Sequence, residues 1–264
     1  MALNITLSTV EQVGDIAKRA GAEIMKIYET DFAVDAKADA SPVTEADRVS
    51  EDLIVEALRG EITSDFPIVA EEAFAADVVP DISGVAAFWL VDGLDGTKEF
   101  VKRNGEFTVN IALIEAGRPV IGVVHAPAVN ATYWGSAYGT FAETDGGAAP
   151  QVSCRPRPSG GLVAAVSRSH RGDELDGFIS QHDVVKEIDA GSALKFGLVA
   201  TGRADVYPRL GRTMEWDIAA GHAVVRFAGG RVADLEGVDI SYGKPGFENP
   251  SFVAWGAEAD AGFD

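Results

Sequence analysis

Trp89-Leu90-Val91-Asp92-Gly93-Leu94-Asp95-Gly96-Thr97 sets the reading of the whole chain. Its apolar head reads as a buried strand that runs straight into two aspartates three residues apart, then Gly-Thr. Carboxylates at a strand end, ahead of a glycine turn, project oxygens into a cleft, and hard cations such as Mg²⁺ take oxygen ligands of this kind. Gly96 and Thr97 are placed to open a helix whose free N–H groups would hold a phosphate. An ordinary turn uses the same residue types, so this segment by itself supports both readings.

Outward from it lie three further segments. The apolar run Phe66–Ala70 ends in Glu71-Glu72, which reads either as a ligand pair at a strand end or as a charged surface loop. Trp216-Asp217-Ile218-Ala219-Ala220-Gly221 puts Asp217 where a helix starts, and an N-cap is the default role there. Thr44-Glu45-Ala46-Asp47 fits a capping box in which Asp47 reaches back to Thr44. Jointly the segments weigh more. Asp47, Glu71, Asp92, Asp95 and Asp217 each fall at an element boundary, and their convergence would make a strongly negative pocket that needs cations, as in a two- or three-metal hydrolytic site. The histidines, His125, His170, His182 and His222, are scattered and HExxH is absent, so no zinc set accompanies the acids. Neither a G-x-S-x-G elbow nor a Walker A sequence is present.

Around these segments the periodicity predicts a helix over 8–29, a second from Thr44 to Gly60, and short strands at 66–70 and 86–92. A strand pair at 107–115 and 119–125 turns at Ala116-Gly117-Arg118-Pro119, with another strand at 131–138. The Gly/Pro/Ser-rich stretch 143–161 is the expected boundary between an α+β unit, residues 1–148, and an α/β unit, residues 149–264. In the second unit, strands at 162–166, 184–188 and 204–207 alternate with helices near 173–181, 192–202 and 216–228. The expected architecture is two layered units with a cleft between them.

Composition limits the function classes. With 47% apolar and 24% charged residues, the 264-residue chain matches a soluble globular protein. It has no apolar run approaching the ~18 residues of a membrane span. The opening MALNITLSTV lacks the basic and apolar regions of a secretory signal, and the single cysteine, Cys154, excludes an intrachain disulfide. A cytoplasmic location is expected, with loose peripheral membrane association left open. The formal charge of −19 repels nucleic acid polymers and anionic membranes. It is unevenly spread, with 10 basic and 23 acidic residues up to Thr132 and 12 and 18 beyond it. A small anionic substrate therefore needs local cations.

Glu71-Glu72, Asp92-Gly-Leu-Asp95-Gly-Thr97 and Trp216-Asp217-Ile-Ala-Ala-Gly221 resemble the three signatures of the Mg²⁺-dependent, lithium-sensitive inositol monophosphatase superfamily. Lys98-Glu99-Phe100, Asn104-Gly-Glu-Phe-Thr-Val-Asn-Ile-Ala-Leu-Ile114, Ser167-Arg-Ser-His170, Gly191-Ser-Ala-Leu-Lys-Phe196 and Tyr207-Pro-Arg209 are similar to its bacterial 3′(2′),5′-bisphosphate nucleotidase branch. The resemblance runs from about Ser41 to Asn249. It implies a layered sandwich of α/β and α+β parts, with helix and sheet layers alternating. It implies two Mg²⁺ ions. Glu71, Asp92 and the Leu94 carbonyl would hold the first, Asp92, Asp95 and Asp217 the second, and Glu71 would touch a third, weaker ion. Glu72 matches a supporting position beside the catalytic groups. Asp47 and Thr97 would orient the attacking water, and the Gly96 and Thr97 amides would cradle phosphate. His170, Ser192, Lys195 and Arg209, with Asp217, match substrate positions. The plain alternatives are a surface helix lysine at 195 and a loop salt bridge at 209. Glycine stands at 93 where the family usually has proline, from which a less preorganised loop is expected.

The activity implied is removal of the 3′-phosphate of adenosine 3′,5′-bisphosphate to give AMP, with 3′-phosphoadenylyl sulfate as a second substrate, in recycling a by-product of sulfate assimilation. An inositol or sugar monophosphatase on the same scaffold is the alternative. A non-enzymatic acidic metal-binding module is a third reading, against which the complete carboxylate set argues.

Overall fold

Val10, Val13, Ile16, Ala17, Ala20 and Ile24 recur at helical spacing, and all are buried on one face of a 22-residue helix. The computed structural model describes residues 4–36, 42–168 and 172–257. In chain order it contains α1 (Leu7–Tyr28), the two-residue strands β1 (Asp35–Ala36) and β2 (Pro42–Val43), α2 (Glu45–Ala57), β3 (Ile68–Ala70), α3 (Glu71–Ala75), β4 (Ala87–Asp95) and α4 (Thr97–Val101). There follow β5 (Thr108–Glu115), β6 (Arg118–Ala126), β7 (Ala131–Ser136), β8 (Gly139–Thr144), β9 (Gln151–Val152) and β10 (Leu162–Ser167). The rest comprises α5 (Asp173–Gln181), β11 (Val184–Ala190), α6 (Leu194–Ala200), β12 (Val206–Arg209), β13 (Thr213–Met214), α7 (Glu215–Phe227), β14 (Arg231–Asp234), β15 (Glu248–Asn249) and β16 (Phe252–Trp255).

Two sheets organise these elements. One has seven strands in the order β3-β4-β5-β6-β7-β8-β9; the other has five, ordered β11-β10-β12-β16-β14. In the larger sheet β3 and β4 are parallel and the rest antiparallel. Side chains alternate across it. Trp89, Val91, Val109, Ile111, Leu113, Ile121 and Val123 face α1 and α2, whereas Phe88, Leu90, Ala112, Ile114 and Val124 face α6 and α7. Both faces are thus buried, which explains the unbroken apolar runs. The smaller sheet repeats the pattern. Ala165, Tyr207, Phe252 and Ala254 join the α6/α7 core, and Ala164, Val166, Val206 and Val253 pack with Leu175 and Phe178 of α5. Five layers result: α1 and α2, the large sheet, α6 and α7, the small sheet, and α5. The alternation of helix and sheet layers is the architecture expected. Burying one large side chain such as Trp89 or Phe252 contributes about 1.5–3 kcal/mol.

Differences of detail have local causes. The second helix does not stop at Gly60; a π-helical turn, Leu58–Ile62, carries it on, closed by the Thr63 amide donating to the Leu58 carbonyl. The β5–β6 hairpin turns on Ala116-Gly117 alone, both at positive φ, with Glu115 opposite Arg118. Beyond the expected boundary at 148, β9 still pairs with β8 in the larger sheet. The antiparallel strands β14 and β16 complete a sheet read from sequence only as βαβ units. No helix among the described residues is long and apolar enough to cross a membrane.

Candidate active site

The β4–β5 pairing carries a bulge where it matters most. Asp92 is opposite Asn110 and Asp95 opposite Thr108, so three steps on β4 match two on β5. In a regular strand, residues three apart face opposite sides; the extra residue lets Asp92 and Asp95 line the same cleft. That cleft, of about 980 Å³, is bordered by α2, α3, the β4–α4 turn, α6, β12 and α7.

Glu71, at the start of α3, Asp92, on β4, and Asp217, in the first turn of α7, converge there, with one oxygen of each within 4.8 Å of the others. Burial and neighbouring acids register at Asp217. Burial, then the charges of Asp95 and Glu71, push its carboxyl well above the usual carboxylate range. Burial also raises the Asp95 carboxyl, against the pull of Lys195. A close set of oxygen donors at such an electrostatic cost is one a hard divalent cation fits. Asp217 is not the N-cap of α7. It sits at N3, and its Oδ2 accepts from the Met214 amide at 2.8 Å, one turn further back than the sequence suggested.

Asp47 performs the capping role and also takes part in the site. Its Oδ2 accepts from the Thr44 amide (2.7 Å) and the Thr44 hydroxyl (2.8 Å), and its Oδ1 accepts from the Thr97 hydroxyl at 2.9 Å. Asp47 is buried behind the cleft, with Thr97 between them. Leu94 donates its amide to Asp92 Oδ1 at 3.0 Å and, with Gly96, Thr97 and Glu72, lines the cleft. Gly96 has φ 92° at the start of α4, and a Cβ there would lie 2.1 Å from Ser192 Oγ. The Ser192 hydroxyl lies 2.8 Å from the carbonyls of both Asp95 and Glu106, bracing this turn.

Gly93 has a steric reason. A Cβ on this backbone would meet Ser50 Oγ at 2.6 Å, the Glu51 amide nitrogen at 2.8 Å and the Asp47 carbonyl at 3.1 Å. Close packing of α2 on β4 at this point leaves no room for a Cβ.

Two cations also line the cleft. Lys195 is buried, its Nζ donating to the Ala190 carbonyl (3.1 Å) and the Ser192 carbonyl (2.6 Å) and lying 5.0 Å from the Tyr207 ring centre. Burial lowers its ammonium to about 8, with Asp95 opposing the shift. Arg209 also lines the cleft; its Nη2 reaches the Arg212 carbonyl at 3.3 Å, and its buried Nε has no hydrogen-bond partner. His170 lies outside the described residues. Cys154 is buried, and burial pushes its thiol up to about 12, as befits an inert packing residue.

Sequence reasoning passed over several buried acids, Glu51 and Glu215 among them. Glu51, on α2, accepts from the amides of Glu72 (2.7 Å) and Ala73 (2.9 Å), and burial raises its carboxyl to about 7. Glu215, wholly buried at the start of α7, accepts from the amides of Gly243 and Lys244 and from Lys244 Nζ. The available signal for Glu51 was its spacing, an acid on the same helical stripe as Ile54 and Leu58.

The chain matches the inositol monophosphatase family model over residues 7–259. A Salmonella typhimurium protein named 3′(2′),5′-bisphosphate nucleotidase CysQ is 44% identical over 247 residues, covering 92% of this chain and 98% of that protein. The Escherichia coli K12 protein of the same name is 43% identical with the same coverage. Among solved structures, CysQ from Bacteroides thetaiotaomicron superimposes with a TM-score of 0.79 at 36% identity, over 94% of this chain and 97% of that one. An inositol monophosphatase from Thermotoga maritima gives 0.75 at 26% identity, over 94% and 92%.

Proposed function

Because this chain belongs to the inositol monophosphatase family, we propose that it is a magnesium-dependent phosphatase that removes the 3′-phosphate of adenosine 3′,5′-bisphosphate, releasing AMP and phosphate. 3′-Phosphoadenylyl sulfate, which carries the same 3′-phosphate, is its second substrate. The observation that carries the reading is that Glu71, Asp92 and Asp217 converge in one cleft that Lys195 and Arg209 also line. The relatives named 3′(2′),5′-bisphosphate nucleotidase, alike over nearly their full length, support it.

Glu71, Asp92 and Asp217 would hold Mg²⁺, with Asp95 and the Leu94 carbonyl beside them. Bound there, the ions neutralise phosphoryl charge and acidify water, the two needs of this hydrolysis. The residues supply position. Thr97 donates its hydroxyl hydrogen bond to Asp47 Oδ1, which leaves the Thr97 oxygen to accept from a water in the cleft. Asp47 cannot swing away, because Thr44 fills its other oxygen twice. The Gly96 and Thr97 amides, at the start of α4, would donate to the phosphoryl oxygens. Water oxygen bonds to phosphorus as the bond to the ribose 3′-oxygen breaks, and that oxygen takes up a proton. The 5′-phosphate stays intact and needs cations of its own, for which Arg209 offers planar donors and Lys195 a point charge.

One observation favours the alternative, an inositol or sugar monophosphatase. Lys195 Nζ already donates to two backbone carbonyls, so less of it faces a ligand. Phosphate release with Mg²⁺ from equal concentrations of adenosine 3′,5′-bisphosphate and inositol 1-phosphate decides between them. A preference for the nucleotide of about 100-fold, ~2.7 kcal/mol, is expected. Preference for the inositol ester would overturn the nucleotide assignment.

A further inference from the structure

We infer that the buried face of α2 is the jig that aligns the site, and that Glu51 is a positioning residue for the carboxylate of Glu71. The inference rests on the reading of Glu71, Asp92 and Asp217 as cation ligands. Three segments distant in sequence meet on one stripe of this helix. Asp47 Oδ1 accepts from Thr97 at 2.9 Å. One turn on, the two oxygens of Glu51 separately accept the amides of Glu72 (Oε2, 2.7 Å) and Ala73 (Oε1, 2.9 Å). Between these contacts, the Ser50 hydroxyl and the Glu51 amide nitrogen stand 2.6 and 2.8 Å from where a Gly93 Cβ would be. Residues four apart share a helix face, so one rigid element sets Thr97, Gly93 and the start of α3 relative to one another.

The α3 contact is the one with no substitute. α3 has five residues, and its N-cap, Ala70, offers no side-chain acceptor. The Glu72 and Ala73 amides, at its first turn, are accepted instead by the carboxylate supplied from α2. Glu71 is the first residue of α3, immediately before the two residues whose amides Glu51 holds. The backbone that aims Glu71 at Asp92 and Asp217 is therefore fixed by a side chain that belongs to neither segment. Groups that orient metal ligands from behind typically alter affinity by about 10- to 100-fold when changed.

The test uses the full chain and Mn²⁺ as the probe, with free ion followed by electron paramagnetic resonance. Glu51→Gln keeps the shape but sets its own N–H against one of the two amides. Relative to wild type, Mn²⁺ binding is expected to weaken about 10- to 100-fold. The Mg²⁺ concentration for half-maximal phosphate release should rise with it, while KM for the nucleotide at saturating Mg²⁺ stays within about threefold. Hydrogen exchange should quicken at the Glu72 and Ala73 amides, with the core strands β4 and β5 still protected. Glu51→Asp, which retains the charge but withdraws it, should fall between the two and carries the test if Glu51→Gln does not fold. Mn²⁺ affinity within twofold of wild type in a folded Glu51 variant would overturn the positioning role. A wild-type chain that binds no Mn²⁺ would instead overturn the ligand reading, and the inference with it.

Discussion

If Arg209 reads the second phosphate as proposed, Arg209→Ala should separate that recognition from hydrolysis of the first. Among the described residues Arg209 has one hydrogen bond, 3.3 Å to the Arg212 carbonyl, and its Nε has no partner, so few contacts of the fold are lost with it. A charge-assisted hydrogen bond to a bound phosphate is worth about 1.5–3 kcal/mol, which corresponds to a loss of about 10- to 150-fold in kcat/KM. The assay is steady-state phosphate release from two substrates, adenosine 3′,5′-bisphosphate and adenosine 3′-monophosphate, which differ only in the 5′-phosphate. The bisphosphate should show the full loss, and the monophosphate should change by no more than about threefold. Equal losses on both would refute the reasoning. They would mean that Arg209 acts on the transferred phosphate or on the carboxylates, whose charge it also feels at Asp95 and Asp217. Lys195 serves this purpose less cleanly, because of the two cations that oppose the rise of the Asp95 carboxyl it has the larger effect.

Other outcomes are expected. Thr97→Val should lower kcat by about 100-fold or more with KM nearly unchanged, and a KM effect alone would assign Thr97 to binding. Gly93→Ala should destabilise the chain by about 1–3 kcal/mol in denaturant unfolding, since two of the three contacts it would make are backbone atoms of α2; unchanged stability would show that α2 can retreat. His222 is buried against the Tyr242 hydroxyl (2.8 Å), and burial lowers its imidazole to about 3. Its folded value lies below its unfolded one, so the stability it lends is present above pH ~6.5 and is lost as pH falls. The gap in unfolding free energy between wild type and His222→Gln should accordingly shift by about 1.4 kcal/mol from pH 8 to pH 5.5, and a constant gap would exclude a neutral buried imidazole.

Much of this site was legible because its residues sit at ends of strongly patterned elements. The apolar runs before Glu71 and Asp92 read as buried strands; Glu71 does follow the end of β3, but β4 continues through Asp92 to Asp95, so Asp92 reaches the cleft from inside the strand. Asp217 was harder to place, as its backbone-capping contact and its position in the cleft coexist. The bulge between Asp92 and Asp95 was invisible, since period-2 patterning carries no signal for one inserted residue. The reason for Gly93 lies in the surface of α2, at a distance no local rule spans. Glu51 and Glu215 resembled surface acids by type, and only tertiary structure reveals the backbone amides they satisfy. The partial commitment of Lys195 to carbonyls likewise depends on how the chain turns at Ser192, a non-glycine residue at φ 47°.

The three converging carboxylates come from positions 71, 92 and 217, so the chain must close most of its length before they meet. An unfolded chain cannot gather them, and a cation held by all three binds the native state alone. Folding and ion concentration then become one equilibrium. At 100 times the dissociation constant the ion adds about 2.7 kcal/mol to stability, a sizeable share of what a typical domain possesses. Withdrawal of divalent ions would thus remove more than catalysis: it would hand the mutual repulsion of these acids back to the fold, and the protein's lifetime would follow the ion supply.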